Sequence, residues 1–348
     1  METPALGALH SEPDYRDGIA AAGAMQAFAG IQLLPTYDTD LTKLGEVMMQ
    51  GQQPACVSYA WAMVMKLYWY IKTGKVVDFE PRFLHILSRG NLAVTDGRYP
   101  RTVAKVSVQY GCCTKATLNG DITMSMADYC DPSAISAAAY AEAKQYALPG
   151  YMRVPLNQTA MRSAVQLYGA ISALFQIGSE FWLPSWADKD IDPLRTPAQV
   201  ISGHELVIKG WNATLERLRN HWSAAWADKG EANFDWNSWA PYIFEMWAPA
   251  EIPADTASFL KNLPAPSDFH YEWDTNLSQG MFNDDVKFAQ IALMILGFLP
   301  PLTPDDLGHY GPKTAVAVGK YQQANRISPS PSNVGPMTRG ALNKQFAL

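Results

Sequence analysis

The stretch Gln50–Lys72, QGQQPACVSYAWAMVMKLYWYIK, decides how the rest of the 348-residue chain reads. Val57, Ala60, Trp61, Val64, Met65, Leu67 and Tyr68 recur at three- and four-residue intervals, the period of a buried helix. Pro54, just upstream, helps to fix where that helix begins, because proline suits a helix start. The spacing predicts a helix from Cys56 to about Lys72. A thiol then sits on its first turn, where unpaired N–H groups and the helix dipole favour negative charge and lower a thiol's pKa. A lone cysteine at a helix start is more often a small core residue. What decides between the two lies further along the chain.

Outward from this helix, residues 1–40, with Pro35 and Asp38, read as an extended lead-in. Segments 101–110, 136–146 and 157–168 carry helical spacing, so residues 50–168 read as predominantly helical. Ala170–Ile177 and Leu206–Trp211 are short apolar runs bounded by Gly, Pro and Ser, and the aromatic alternation around Asn233–Trp239 reads as extended. Residues 170–250 are therefore expected to be strands, and a helical half followed by a strand-rich half predicts two lobes in one unit. Pro249, Pro253, Pro264 and Pro266 mark a stiff connector or an irregular closing segment. Beyond it, Val286, Gln290, Leu293 and Leu296 predict one amphipathic helix and Ala315, Val318, Tyr321 and Gln322 another, with the Pro/Gly-rich stretch 297–312 between them. The expected division is 1–255 for the two-lobed domain and its lead-in, 256–273 for the linker, and 274–348 for a small helical domain.

Apolar residues make up 48% of the chain and charged residues 17%, with 11 Trp and 16 Tyr, enough for a large core and an aromatic-lined groove. The formal charge is −6 and no Lys/Arg run occurs, so neither nucleic acid nor an anionic membrane is an expected partner. No stretch approaches the roughly 20 apolar residues of a membrane span. Met1–Arg16 lacks a basic start followed by an apolar run, so no signal peptide is visible. Four cysteines are too few for a disulfide framework in a chain of this size; Cys130 bridging Cys112 or Cys113, and three buried free thiols, both fit. His10, His85, His270 and His309 lack ligand spacing, so no metal site and no cofactor is expected.

Several separated pieces bear on Cys56. Gln50-Gly51 precedes it, with the glutamine six residues upstream. Pro81-Arg82-Phe83-Leu84, then Asp96-Gly97-Arg98-Tyr99-Pro100 and Tyr110-Gly111, follow the predicted helix. Gly203-His204 opens the apolar run Leu206-Val207-Ile208, which ends at Gly210-Trp211. Asn220-His221-Trp222 comes next, with Trp226, Asp228 and Gly230 behind it. Together, across nearly the whole of 45–240, these pieces resemble the papain-like cysteine peptidases.

The resemblance implies an α+β fold: a papain-like two-lobed catalytic domain with a helical lobe and a β-barrel-like lobe. It implies Cys56 as nucleophile, His204 as its base, Asn220 as the residue that orients the imidazole, and Gln50 as an oxyanion donor. It also implies a substrate-pairing strip at Asp96-Gly97, and Trp222 as a shield over the His204–Asn220 hydrogen bond. Asn237-Ser238-Trp239 matches the family's asparagine tripeptide literally, but the spaced Trp226 and Gly230 follow Asn220, so Asn220 is chosen and Asn237 is expected at a strand end.

Three departures inform. Gln53 stands three residues before Cys56, where relatives have a cysteine, so a disulfide common near the nucleophile cannot form. Glu205 follows His204 where relatives carry a small apolar residue on the wall of the pocket for the second residue before the cleaved bond. It implies a preference for Lys or Arg there, with a solvent-facing side chain as the alternative. Roughly 40 residues precede the matched segment, too few for the long inhibitory prosegment of many relatives, so latency is expected to use something else.

Residues 281–346 resemble the small peptidoglycan-binding domain of bacterial wall enzymes, through Val286, Gln290, Leu293, Leu296-Gly297, Leu299, Tyr310-Gly311, Thr314, Ala317-Val318, Tyr321-Gln322, Val334-Gly335-Pro336, Thr338 and Leu342. An all-α three-helix domain follows from the likeness, with peptidoglycan as an expected partner and secretion or the bacterial envelope as the expected location. Most of the matching positions are core and turn residues, which argue fold before ligand. The expected activity is a cysteine endopeptidase acting on protein or peptide substrates. The alternatives are a hydrolase of peptidoglycan cross-bridge peptides and a non-catalytic binding protein on a peptidase scaffold.

Overall fold

Helix α1 spans Cys56–Thr73 and begins directly after Ala55, with no side chain capping its first turn. It is buried on every side from Cys56 through Tyr68, because helices α2 (Pro81–Leu87) and α3 (Pro100–Gln109) pack on it along with strand β4 (Ser202–Trp211) of a sheet. Gly74 ends it at φ 69°, a left-handed conformation that glycine adopts without a Cβ clash, and returns its N–H to Tyr70 O. Helices α4 (Ala137–Gln145) and α5 (Gln158–Tyr168) follow; α4 is capped by the Ser136 side chain and α5 by that of Asn157.

The computed structural model describes residues 6–11, 28, 31–182, 193–250, 269–300, 302, 306–328 and 332–346. They fall into two compact units, one within Met1–Ser11 and Ala24–Glu251, the other within Ile252–Leu348.

The sheet of the first unit is antiparallel. Its strands are β1 (Tyr37–Asp38), β2 (Tyr151–Val154), β3 (Ile171–Ile177), β4, β5 (Glu216–Arg219), β6 (Glu231–Phe234) and β7 (Ile243–Pro249). They run in the order β2-β7-β3-β4-β5-β6, with β1 pairing β4. Strand β3 lies between β4 and β7, and Ile171–Phe175 are all buried, so both of its faces are covered. Leu174, Val207 and Trp247 join the core built around α1, so one sheet face closes onto that helix.

The segment 50–168 is predominantly helical, with one short strand, Tyr151–Val154, that pairs with β7. One expectation fails locally. The alternation at Asn233–Trp239 is not one extended strand: β6 stops at Phe234, and Asp235 accepts from Ser238 N at 2.9 Å, capping a helical turn over Trp236–Trp239. Asn237 is therefore inside a helical turn, not at a strand end. A short polar side chain that caps the backbone overrides the β propensity of the tryptophans.

In the second unit, α6 (Asp284–Ile295), α7 (Pro312–Ala324) and α8 (Pro336–Phe346) form an all-α three-helix module. Its core includes Trp273, Val286, Leu293, Tyr310, Tyr321 and Leu342. The buried Gln290 amide ties the loop before α7 to α6, donating to Asp306 O, His309 O and Thr314 Oγ1. Phe269 and Trp273 are buried in this core, so 269–273 belongs to the module and not to the linker read from the sequence; 256–268 lies outside the described residues.

Glu231 on β6 gathers three cations, with Lys209 Nζ at 3.1 Å, Arg217 Nε at 2.8 Å and Arg219 Nη2 at 2.5 Å. Burial works to raise its carboxyl, but Lys209, Arg219 and Arg217 outweigh it and hold the group below its ordinary 4.5. A depressed folded value makes the carboxylate stabilising above pH 4.5, and that contribution is lost as the pH falls through the folded value. Glu231→Gln, which leaves three cations around a neutral amide, is predicted to cost about 3 kcal/mol in urea unfolding at pH 7. The gap to wild type should close in acid.

Candidate active site

Strand β4 carries His204 into the interior, where it is 0% exposed, and the β4–β5 hairpin returns the chain to Asn220. Asn220 N donates to Gly230 O at 2.8 Å, which fixes the residue beyond the hairpin. Its Oδ1 accepts from His221 N at 2.8 Å and lies 2.9 Å from His204 Nε2. A backbone N–H can only donate, so the atom facing it is the amide oxygen, and that oxygen can only accept from the imidazole. His204 therefore carries its proton on Nε2 when neutral. Nδ1 is left as the basic nitrogen, buried and without a hydrogen-bond partner. Trp222 lies against the same ring, centroids 4.5 Å apart, and Phe181 meets it edge-on at 5.8 Å.

Cys56 is 0% exposed at the first residue of α1. The backbone amides of Glu205, Gly7 and Val57 lie near enough to act on its thiol, and strand β4, which carries His204 and Glu205, packs on α1. The Glu205 amide immediately follows His204, so sulfur and imidazole belong to one buried cluster. Gln50 joins it from the other side: its N–H donates to His221 O at 3.0 Å, and Met49 bridges Trp222. Its side chain accepts from Trp222 Nε1 at 3.3 Å and donates through Nε2 to Gln53 O at 2.9 Å.

Residues 6–11 lie across this cluster. Ala8 bridges Arg98 in parallel: Arg98 N donates to Gly7 O at 2.8 Å and Leu9 N to Arg98 O at 3.0 Å. On the opposite lip Ala8 N donates to Gly203 O at 3.3 Å, and Ser11 N reaches Glu245 Oε1 at 2.7 Å. The approach is so close that a Cβ on Gly97 would stand 1.4 Å from Gly7 O, and one on Gly203 2.5 Å from Ala8 O. Gly7 is itself held against Pro54, whose carbonyl oxygen a Cβ there would meet at 2.6 Å.

Burial decides the electrostatics. Burial pushes the Cys56 thiol up to about 12, against the amides of Glu205, Gly7 and Val57, which pull it down. Burial also brings His204 down to about 4, against the Asn220 hydrogen bond, which raises it. Sulfur and imidazole are thus neutral at pH 7. The lowered thiol pKa expected of a helix start is absent in this state, because loss of water outweighs the helix N–H groups.

Of the residues named from the sequence, Cys56, His204, Asn220, Gln50, Trp222, Glu205 and Gly97 meet around this cluster. Asp96 does not face the covering strand: its carboxylate accepts from Ala93 N at 2.8 Å and closes a turn. Glu205 does not point to solvent; it is 0% exposed. Two contributors escaped the sequence reading. Arg98 offers both its backbone groups to the covering strand, while its buried guanidinium holds His85 O, Asp96 O and Gly97 O. Glu245 lies on β7, and only strand pairing brings it near Glu205; no spacing signal could have found it. Cys56, Cys112, Cys113 and Cys130 are all free and buried. Among the described residues no group of His, Cys, Asp or Glu is arranged to hold a metal, and no helix is long and apolar enough to cross a membrane.

Comparison with known proteins bears on both units. Residues 282–342 match the family model described as "Putative peptidoglycan binding domain". A comparison with curated proteins finds no match. Among solved structures the chain is similar to xylellain, a cysteine protease from Xylella fastidiosa, at 18% identity and a TM-score of 0.57, covering 72% of this chain and 99% of that one. It is also similar to proCathepsin B S9 from Trypanosoma congolense (12%, 0.51, 72% of this chain and 84% of that one) and to digestive procathepsin L 3 of the Tenebrio molitor larval midgut (16%, 0.50, 64% and 71%). At such identities the likeness speaks for architecture. The chain has the papain-like cysteine-protease fold, followed by a segment that matches a peptidoglycan-binding domain.

Proposed function

We propose that the protein is a cysteine endopeptidase that cleaves protein or peptide substrates through Cys56, His204 and Asn220. The observation that carries this reading is the His204–Asn220 bond, which leaves Nδ1 as the basic nitrogen in the cluster that holds the thiol. In the working state the imidazole takes the thiol proton, and the thiolate attacks a peptide carbonyl. The imidazolium then gives its proton to the leaving amine, and water releases the acyl group. Gln50 and the Cys56 N–H bind the oxyanion, a contribution of roughly 3 kcal/mol per donor. Trp222 keeps water off the His204–Asn220 bond and, through its indole N–H, holds the Gln50 amide in one orientation.

In this reading the state described above is latent. Residues 6–11 fill the cleft as a peptide would, and their burial of the pair keeps both groups neutral. In this reading the short strand paired to both lips acts as the inhibitory segment. Displacing it readmits water and stabilises the thiolate–imidazolium pair.

The match of residues 282–342 favours a second reading, in which the same pair cuts the cross-bridge peptides of peptidoglycan and the module binds the wall. Release of soluble fragments from purified peptidoglycan would support it, whereas cleavage of unfolded protein without such release would favour the first. The boundaries 1–255, 256–268 and 269–348 are proposed for the catalytic domain, linker and wall-binding module.

Cys56→Ala is predicted to abolish cleavage of an unfolded protein substrate, and Asn220→Ala to lower kcat about 10- to 100-fold by freeing the imidazole. Full activity in Cys56→Ala would refute the assignment. Gly7→Val puts side-chain atoms into Pro54 and should expel the covering strand, raising alkylation of Cys56 by iodoacetamide at pH 7 at least tenfold. Because a thiol near 12 gains thiolate throughout the neutral and alkaline range, wild-type alkylation should keep rising with pH up to 10. In Gly7→Val it should level off at a lower pH.

A further inference from the structure

Gln53 is buried three residues before Cys56. Its side-chain amide lies against two backbone carbonyls of a loop far along the chain: Nε2 donates to Met124 O at 2.8 Å and to Ile122 O at 3.4 Å. A carbonyl oxygen can only accept, so the amide atom between the two is the nitrogen, and Oε1 is left buried with no partner. A buried acceptor without a donor is unfavourable. An apolar side chain of the same length would avoid that cost, so the amide at this position points to the two bonds its nitrogen makes.

Those bonds hold the turn that enters α1. Gln53 N donates to Gln50 O at 3.3 Å, and Gln53 O accepts from Ala55 N at 2.7 Å and from Gln50 Nε2 at 2.9 Å. Gly51, at φ 60°, brings the same turn against the loop, where a Cβ would stand 3.0 Å from Ile122 Cβ. The loop is itself anchored. Arg82 Nη1 donates to Asn119 O at 2.8 Å, Gly120 N to Glu80 Oε2 at 3.1 Å, and Met124 packs on the core built around α1. A continuous path thus runs from Glu80, the cap of α2, through residues 119–124 to Gln53, and from the Gln53 carbonyl to the Gln50 amide. No disulfide secures this turn, since Cys56, Cys112, Cys113 and Cys130 are free.

We propose that Gln53 is a positioning residue for the oxyanion step: pinned to Ile122 and Met124, it places the carbonyl that orients the Gln50 amide. This rests on the peptidase reading above and adds a residue to it. A primary amide turns about its last bond, and the atom it presents to the reacting oxygen turns with it. Two contacts oppose that rotation. Gln50 Oε1 accepts from Trp222 Nε1 at 3.3 Å, and one Nε2 hydrogen serves Gln53 O at 2.9 Å, so the direction of the second hydrogen is set by both. An oxyanion donor helps in proportion to how well it is aimed before the charge develops, and the Gln53 carbonyl is the closer of the two constraints.

The test uses the full chain, in the wild type and in Gly7→Val, and follows cleavage of dye-labelled unfolded casein, with iodoacetamide labelling of Cys56 as the control. Gln53→Met keeps the length of the side chain and removes both donors. The expected result is a kcat at least fivefold lower with KM within about twofold, while iodoacetamide labelling, which forms no oxyanion, also stays within about twofold. Gln50→Ala should lower kcat further. Adding Gln53→Met to Gln50→Ala should then change kcat less than about twofold, because a residue that acts through Gln50 has nothing left to position. An unchanged kcat in Gln53→Met, or a loss of the same size with and without the Gln50 side chain, would overturn the proposal; the latter would make Gln53 a support of the fold alone. A parallel fall in iodoacetamide labelling would overturn it too, by placing the disturbance at the nucleophile. Absence of cleavage by both the wild type and Gly7→Val, where iodoacetamide still labels Cys56, would remove the peptidase reading, and the role of Gln53 with it.

Discussion

The arrangement depends on one amide oxygen. Asn220 Oδ1 takes the His221 N–H and so cannot present its nitrogen to His204, and the ring's tautomer follows. Everything that makes this cluster suited to nucleophilic chemistry descends from that choice. The proton on Nε2 leaves Nδ1 with a lone pair, and the Trp222 ring lies tilted against the imidazole. The hairpin sets Asn220 in place through Gly230 O, and Glu231 next to Gly230 gathers Lys209, Arg217 and Arg219, so an ion-pair network braces the strands that carry the orienting residue.

The second determinant is access to water. A helix N-terminus favours a thiolate by orienting N–H groups at it, but the effect is smaller than the cost of placing a charge where water is excluded. Residues 6–11 of the chain itself lie over the same cluster. They pair with Arg98 and Gly203 at positions where Gly97 and Gly203 offer no Cβ to hold them off. On the proposed peptidase reading, a substrate backbone uses the approach that these glycines open to the covering strand, so occupancy by the chain itself and occupancy by substrate exclude one another.

Much of this was legible in the residues. Apolar periodicity located α1, α3, α4, α5, β3, β4, α6 and α7 to within a few residues, because each buries one face or all faces and the pattern records it. It failed where short polar groups outcompete propensity, as at Asp235 and the turn of Trp236–Trp239. It failed also at Tyr151–Val154, a strand too short to impose a pattern between two helices. The thiol, imidazole, asparagine and glutamine could be named because each sits in a local string of residues. Asp96 was misjudged, since its neighbour Gly97 makes the close approach while its own carboxylate closes a turn.

Taken alone, the order of amino acids determined most of the elements, the lobes and the candidates for the reactive side chains, because those depend on near neighbours along the chain. Tertiary structure alone decided the burial of Cys56 and His204, the burial of Glu205 beside Glu245, and the passage of residues 6–11 over the cleft. Each is a matter of what lies within a few ångströms through space, where water is displaced and strands distant in the chain are brought side by side.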